Sequence, residues 1–179
     1  DDKVGDLLET LRTTRMLDNT IVLFTSDHGD MLGERGLWFK MSFFEGSARV
    51  PLMVAGPGVT PRLVNEPVST LDINPTLADL AGIDIGEILP WTDGESLVPL
   101  MQGGKRTTPV LMEYTAEGSQ APLVCIREGD WKFSHCELDP PMLFNLKDDP
   151  QELTNLAADP ANAALVAEWM ERVRAHWDM

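Results

Sequence analysis

Asp27 and His28 are adjacent, and their side chains are of the types that hold a metal ion. They close the stretch Thr20 to Asp30, an apolar, β-branched run that ends in a polar cluster with Gly29. Aspartate offers a hard oxygen and neutral imidazole a borderline nitrogen. That mix suits manganese, iron or zinc better than calcium, though calcium is also admitted. Neighbouring strand residues point to opposite faces. Just past a strand end the alternation relaxes, and both side chains can turn to one ion. The plainer reading is a strand-end turn in which Asp27 caps backbone donors. Two ligands do not complete a site, so further ones have to come from elsewhere.

Lys40 sits among apolar residues in Trp38-Phe39-Lys40-Met41-Ser42-Phe43. An ammonium beside a metal-bound anion can hold phosphate or sulfate oxygens and give a proton to a leaving group. Alternatively its stem lies on the aromatics with the charge in water. Glu45 and Arg49, four apart, are placed to pair with each other. Glu117, in Tyr114-Thr115-Ala116-Glu117-Gly118-Ser119, is a carboxylate among small residues in a loop. It reads as a solvated turn or as a binding group. Ser26 beside His28 invites a nucleophile reading, but no Gly-x-Ser-x-Gly elbow surrounds it. The other histidines, His135 and His176, lie in the distant second half.

The elements that must position these groups follow from periodicity. Val4, Leu7, Leu8 and Leu11 form one face of a helix that Asp18-Asn19 breaks. The strand Thr20 to Thr25 is apolar on both faces, which predicts a central parallel strand covered on both sides. Asp30 to Arg49 is too long for an ordinary connection and too apolar for disorder, so it reads as an ordered functional loop. Val50 to Ala55 is a second strand. A helix through Leu77, Leu80 and Ala81 stops at Gly82. Residues 83–107, rich in Gly and Pro, read as a connector. Short strands follow at 110–114, 123–127, 131–133 and 143–146, with Glu128-Gly129-Asp130 as a turn. Asp159-Pro160 then opens a helix with Val166, Trp169, Met170, Val173 and Trp177 on one face. The fold class is therefore α/β: parallel-type strands with helices over residues 1–90, then a small antiparallel sheet and carboxy-terminal helix over 91–179.

The 179 residues carry 14 basic and 29 acidic side chains, a net charge of −15. That argues against a nucleic-acid partner, whose phosphates need Lys and Arg. It is compatible with a cationic substrate or a divalent metal, while for most of the charge a solvated acidic surface is the plainer reading. No run of ~18 apolar residues exists to span a membrane. Two cysteines, Cys125 and Cys136, flank a hairpin, so a bridge between them is open, but free thiols of a reducing compartment are the simpler reading. A cytoplasmic location is the matching expectation.

The stretch Thr25-Ser26-Asp27-His28-Gly29-Asp30-Met31-Leu32-Gly33-Glu34-Arg35-Gly36-Leu37-Trp38-Phe39-Lys40, with Phe44-Glu45-Gly46-Ser47-Ala48-Arg49-Val50-Pro51-Leu52, resembles the sulfatase family of the alkaline phosphatase superfamily. Within it the pattern is most similar to choline sulfatases. Weaker similarities continue in order through Asp72-Ile73-Asn74-Pro75, Arg127-Glu128-Gly129-Asp130-Trp131-Lys132 and Leu143-Phe144-Asn145-Leu146. The resemblance implies an alkaline-phosphatase-like sandwich and hydrolysis of a small, cationic sulfate ester, choline-O-sulfate. It implies one divalent metal ion, calcium or manganese, on Asp27 and His28. It implies Lys40 as the lysine that contacts the sulfate and assists the leaving oxygen, and Glu117 as the carboxylate facing a quaternary ammonium. A homo-oligomer is compatible with it. A phosphonate or phosphate ester hydrolase shares the same metal-and-lysine pattern, and a non-catalytic binding or oligomerisation module is the reading outside enzymes.

One departure is large. Family members carry a Cys/Ser-x-Pro-x-Arg motif that supplies a formylglycine nucleophile, and an early Asp-Asp pair that completes the metal site. Neither Cys125 nor Cys136 fits the motif, and Asp1-Asp2 opens a helix instead of following a strand. The expectation is a carboxy-terminal portion of a sulfatase, inactive and weakly metal-binding by itself.

Overall fold

A computed structural model describes residues 1–88 and 90–178. Helix α1 spans Asp2–Thr13 and buries none of its residues. It ends before Asp18, because Arg15 takes a left-handed conformation (φ 61°) that no helix continues through. Strand β1 (Val22–Thr25) leads to the site, and β2 (Leu52–Ala55) returns beside it.

The two strands pair antiparallel, Val22 opposite Ala55 and Thr25 opposite Leu52. This corrects the expectation of parallel-type strands. An apolar run reports burial, whereas direction is set by the connection. Parallel neighbours need a crossover, usually a helix. Between β1 and β2 there is only a 3₁₀ turn at Glu34–Gly36 and the one-turn helix α2 (Glu45–Ala48), so the chain doubles back. Within this chain Phe24 and Met53, opposite each other on the ladder, are 38% and 58% exposed.

Helix α3 (Ile73–Leu80) ends as expected. Gly82 is left-handed at φ 71°, and its N–H and that of Ile83 donate to Asp79 and Ala78 carbonyls. This pairing satisfies carbonyls that a helix end leaves open. The start of α3 is held by Asp72, fully buried and ion-paired to Arg106 at 2.5 Å. Its carboxylate also accepts from the Ser69 and Glu95 amides. The connector thereby folds onto α3, with short helices α4 (Ile85–Ile88) and α5 (Val98–Met101) along the way.

The second half is an antiparallel meander of β3 (Val110–Tyr114), β4 (Leu123–Glu128), β5 (Trp131–Cys136) and β6 (Asp139–Asn145), adjacent in chain order. Helix α6 (Ala163–His176) packs on it, after Asp159 caps a 3₁₀ turn at Pro160–Asn162. Val124, Ile126, Phe133 and Leu143 from the sheet meet Trp169 and Val173 from the helix. Phe133 and Trp169 stack with ring centroids 6.1 Å apart. Each such buried side chain contributes about 1.5–3 kcal/mol. Cys125 and Cys136 are free and buried, and burial pushes the Cys125 thiol up to about 12. No helix among the described residues is long and apolar enough to cross a membrane.

Candidate active site

The end of β1 is built by local hydrogen bonds. Ser26 Oγ donates to the His28 carbonyl at 2.9 Å and to Asp27 Oδ1 at 3.3 Å. The His28 amide donates to the same Asp27 oxygen at 3.0 Å. That amide and the neighbouring imidazole hold the Asp27 carboxyl below the usual carboxylate range. The Ser26 hydroxyl is thus spent on the turn.

The imidazole of His28 is oriented by its own turn. Nδ1 lies 2.8 Å from the Gly29 carbonyl and donates to it. In the neutral imidazole that bond puts the remaining lone pair on Nε2, the tautomer a metal ligand requires. Nε2 is 3.4 Å from Asp27 Oδ2. Ligands ~2.4 Å from one ion and at right angles to each other are about that far apart. Donor chemistry and spacing therefore fit a divalent metal. Among the described residues no group of three or more acidic, histidine or cysteine side chains comes together to hold one.

Gly29 makes the next turn of chain unavoidable. A Cβ there would lie 2.1 Å from the Gly46 carbonyl oxygen, so only glycine lets the two backbones touch. Its N–H donates to the Ser47 carbonyl at 2.8 Å. The 30–49 loop is ordered, as its composition suggests. Met31, Leu32 and Gly33 amides donate to Phe39, Trp38 and Leu37 carbonyls, forming a small ladder anchored by buried Met31. Lys40 follows directly. Its carbonyl accepts from the Ser42 amide at 2.7 Å and from the Ser47 hydroxyl. Its side chain is exposed, and no carboxylate among the described residues pairs with it.

Glu117 is exposed in the β3–β4 loop, and its carbonyl accepts from the Tyr114 hydroxyl at 2.8 Å. A Cβ on the next residue, Gly118, would be 3.9 Å from Met41 Sδ. The loop bearing Glu117 therefore reaches the residue after Lys40. Asp27, His28, Lys40 and Glu117 thus come from two halves of the chain but from connected pieces of structure.

A buried ion cluster clamps those pieces together, and sequence reading misassigned it. Glu45 pairs with Lys132 at 2.8 Å, not with Arg49. Lys132 also meets Glu152 at 2.9 Å, and both are 2% exposed. The other Glu152 oxygen accepts from the Glu45 amide at 2.8 Å. Arg35 stacks on Phe44, 4.1 Å from the ring centroid, and donates to the Gln151 carbonyl at 2.6 Å. Helical spacing pairs Glu45 with Arg49, but α2 lasts one turn and Glu45 faces β5. Ser47 was also missed, since neither its type nor its spacing announces a role.

Comparison with known proteins decides the family. The sulfatase family model matches residues 1–83. The choline-sulfatase of Rhizobium meliloti (strain 1021) is 63% identical over 182 residues, covering 100% of this chain and 36% of that protein. The chain belongs to the sulfatase family. A solved 2-O GAG sulfatase superposes with TM-score 0.86 at 32% identity, covering 98% of this chain and 40% of that one. The phosphonate monoester hydrolase of Agrobacterium radiobacter gives TM-score 0.80 at 31% identity, covering 97% of this chain and 38% of that one. The mixed α/β fold is that of the sulfatases and their superfamily neighbours. The chain spans about a third of the length of the curated relative it matches. Sulfatases use a divalent metal ion, and the Asp27–His28 pair has the chemistry to contribute two of its ligands.

Proposed function

We propose that this chain is the carboxy-terminal part of a sulfuric ester hydrolase that splits choline-O-sulfate into choline and sulfate. The observation that carries the proposal is the Asp27–His28 pair, with Nε2 left free by the Nδ1 bond and 3.4 Å from Oδ2. The 63% identity to a choline-sulfatase supports the substrate. In this reading residues 1–90 close the catalytic domain and 91–179 form a subdomain carrying Glu117. A calcium or manganese ion held there would supply positive charge to the sulfate oxygens. Asp27 and His28 would hold that ion, while Lys40 binds a sulfate oxygen and passes a proton to the departing alkoxide. Glu117 faces the ammonium of the substrate. The nucleophile and the remaining metal ligands come from sequence outside these 179 residues. Two free, buried thiols suit a reducing, cytoplasmic setting.

Likeness to a phosphonate monoester hydrolase favours one second reading, attack at phosphorus instead of sulfur. Parallel assays of the full-length protein with choline sulfate, an aryl sulfate, a phosphonate monoester and a phosphate diester separate the two. The expected order places choline sulfate first in kcat/KM; a phosphonate or phosphate ester in first place overturns the proposal. Asp27→Ala is expected to strip the metal from the full-length protein. Unchanged metal content in that variant removes Asp27 from the site and leaves the strand-end turn as its role.

A further inference from the structure

Ser47 touches both halves of the proposed site, although the residue is only 3% exposed. Its carbonyl accepts the Gly29 amide at 2.8 Å, next to His28. Its hydroxyl donates to the Lys40 carbonyl, seven residues earlier. Its own amide donates to the Phe44 carbonyl at 2.9 Å, which closes the turn of α2. One residue thereby ties the strand end bearing Asp27 and His28 to the loop end bearing Lys40.

We propose that Ser47 is a positioning residue that sets the reach of Lys40 toward the anion held at Asp27 and His28, by fixing the Lys40 backbone against α2. The inference rests on the site reading above. Lys40 lies in an exposed segment, where a long side chain on an untethered backbone samples many placements. Effective proton delivery requires the ammonium within hydrogen-bond reach of the leaving oxygen. The Ser47 hydroxyl is the side-chain tether on that carbonyl. The clamp of Glu45 to Lys132 and Glu152 holds α2 itself still, so the tether has a fixed anchor.

Removing the hydroxyl leaves the fold intact in principle. The Lys40 carbonyl keeps the Ser42 amide, and the Gly29–Ser47 backbone bond is untouched. The experiment is a double-mutant cycle in the full-length protein with Ser47→Ala, Lys40→Ala and both, reading kcat, KM, metal content and thermal midpoint. Ser47→Ala is expected to lower kcat about 10- to 100-fold, as small misplacements do, with KM and metal content nearly constant. In the Lys40→Ala background the same change is expected to cost less than about twofold, because the residue it positions is gone. An equal loss in both backgrounds overturns the proposal and makes Ser47 merely structural. No loss in either does the same. Failure of the underlying site reading looks different: Lys40→Ala alone then leaves kcat unchanged.

Discussion

At the scale of single residues, the chemistry was the most legible part of the chain. Asp27, His28 and Lys40 announce themselves by type: a carboxylate and an imidazole past an apolar run, then a lysine among aromatics. What their types do not disclose is orientation. The His28 tautomer follows from a bond to the next carbonyl, at Gly29, which no spacing rule specifies. Ser47 and Glu45 were illegible for the same reason, since their partners lie across the fold or across a loop. Gly29 permits a sharp prediction. Alanine there places Cβ 2.1 Å from the Gly46 carbonyl oxygen, against backbone that cannot swing aside. The strand end and α2 must separate, breaking the Gly29–Ser47 bond. Gly29→Ala is expected to cost about 1–3 kcal/mol, the range for overpacked sites, in urea unfolding, and to weaken metal retention on dialysis. A variant with unchanged midpoint and metal content shows that the two backbones are not in contact.

At the scale of elements, periodicity found the pieces but not their directions. The α6 face was readable because Trp169 and Val173 fall four apart, and both are buried against the sheet. The meander was readable because turn residues separate short apolar runs. The β1–β2 ladder was read with the wrong polarity, because hydrophobicity carries no arrow and the long connection hid a reversal. The joint between the halves was hidden altogether, since it depends on Lys132, whose partners Glu45 and Glu152 are far from it in sequence or on another element. There, one cation is buried against two carboxylates. Removing one member of such a cluster leaves charge without compensation, at a cost of about 3–5 kcal/mol. Lys132→Ala is expected to lose about that much stability by denaturant unfolding. It is also expected to loosen the 30–49 loop, seen as faster amide exchange at Gly33 and Ser47. Stability within about 0.5 kcal/mol of the parent, the range of ordinary surface changes, contradicts the clamp.

For the whole molecule, the balance of burial differs between the two halves. The sheet and α6 enclose a core of fully buried side chains, whereas α1 buries nothing and the β1–β2 ladder leaves Phe24 and Met53 open. The proposed site sits on the less buried half and is tied to the more buried one through Arg35, Glu45 and Lys132. Within these 179 residues the buried core and the proposed site therefore lie in different halves. The 179-residue chain by itself is expected to unfold cooperatively through its sheet–helix half, monitored by the fluorescence of Trp169 and Trp131. It is not expected to hydrolyse choline sulfate. Lys40 and a pair of metal ligands supply charge, orientation and a proton, but the bond to sulfur must be made by a nucleophile, and Cys125 is unsuited to that role. Its thiol is fully buried and raised to about 12, so at neutral pH it holds its proton. The hydroxyl of Ser26 is engaged in the turn that shapes Asp27. Manganese titration of the isolated chain, followed by electron paramagnetic resonance, is expected to show only weak binding, because two ligands leave most of the coordination sphere to water. Turnover of choline sulfate by the isolated chain, sensitive to Lys40→Ala, overturns the division of labour proposed here and locates a nucleophile within these residues.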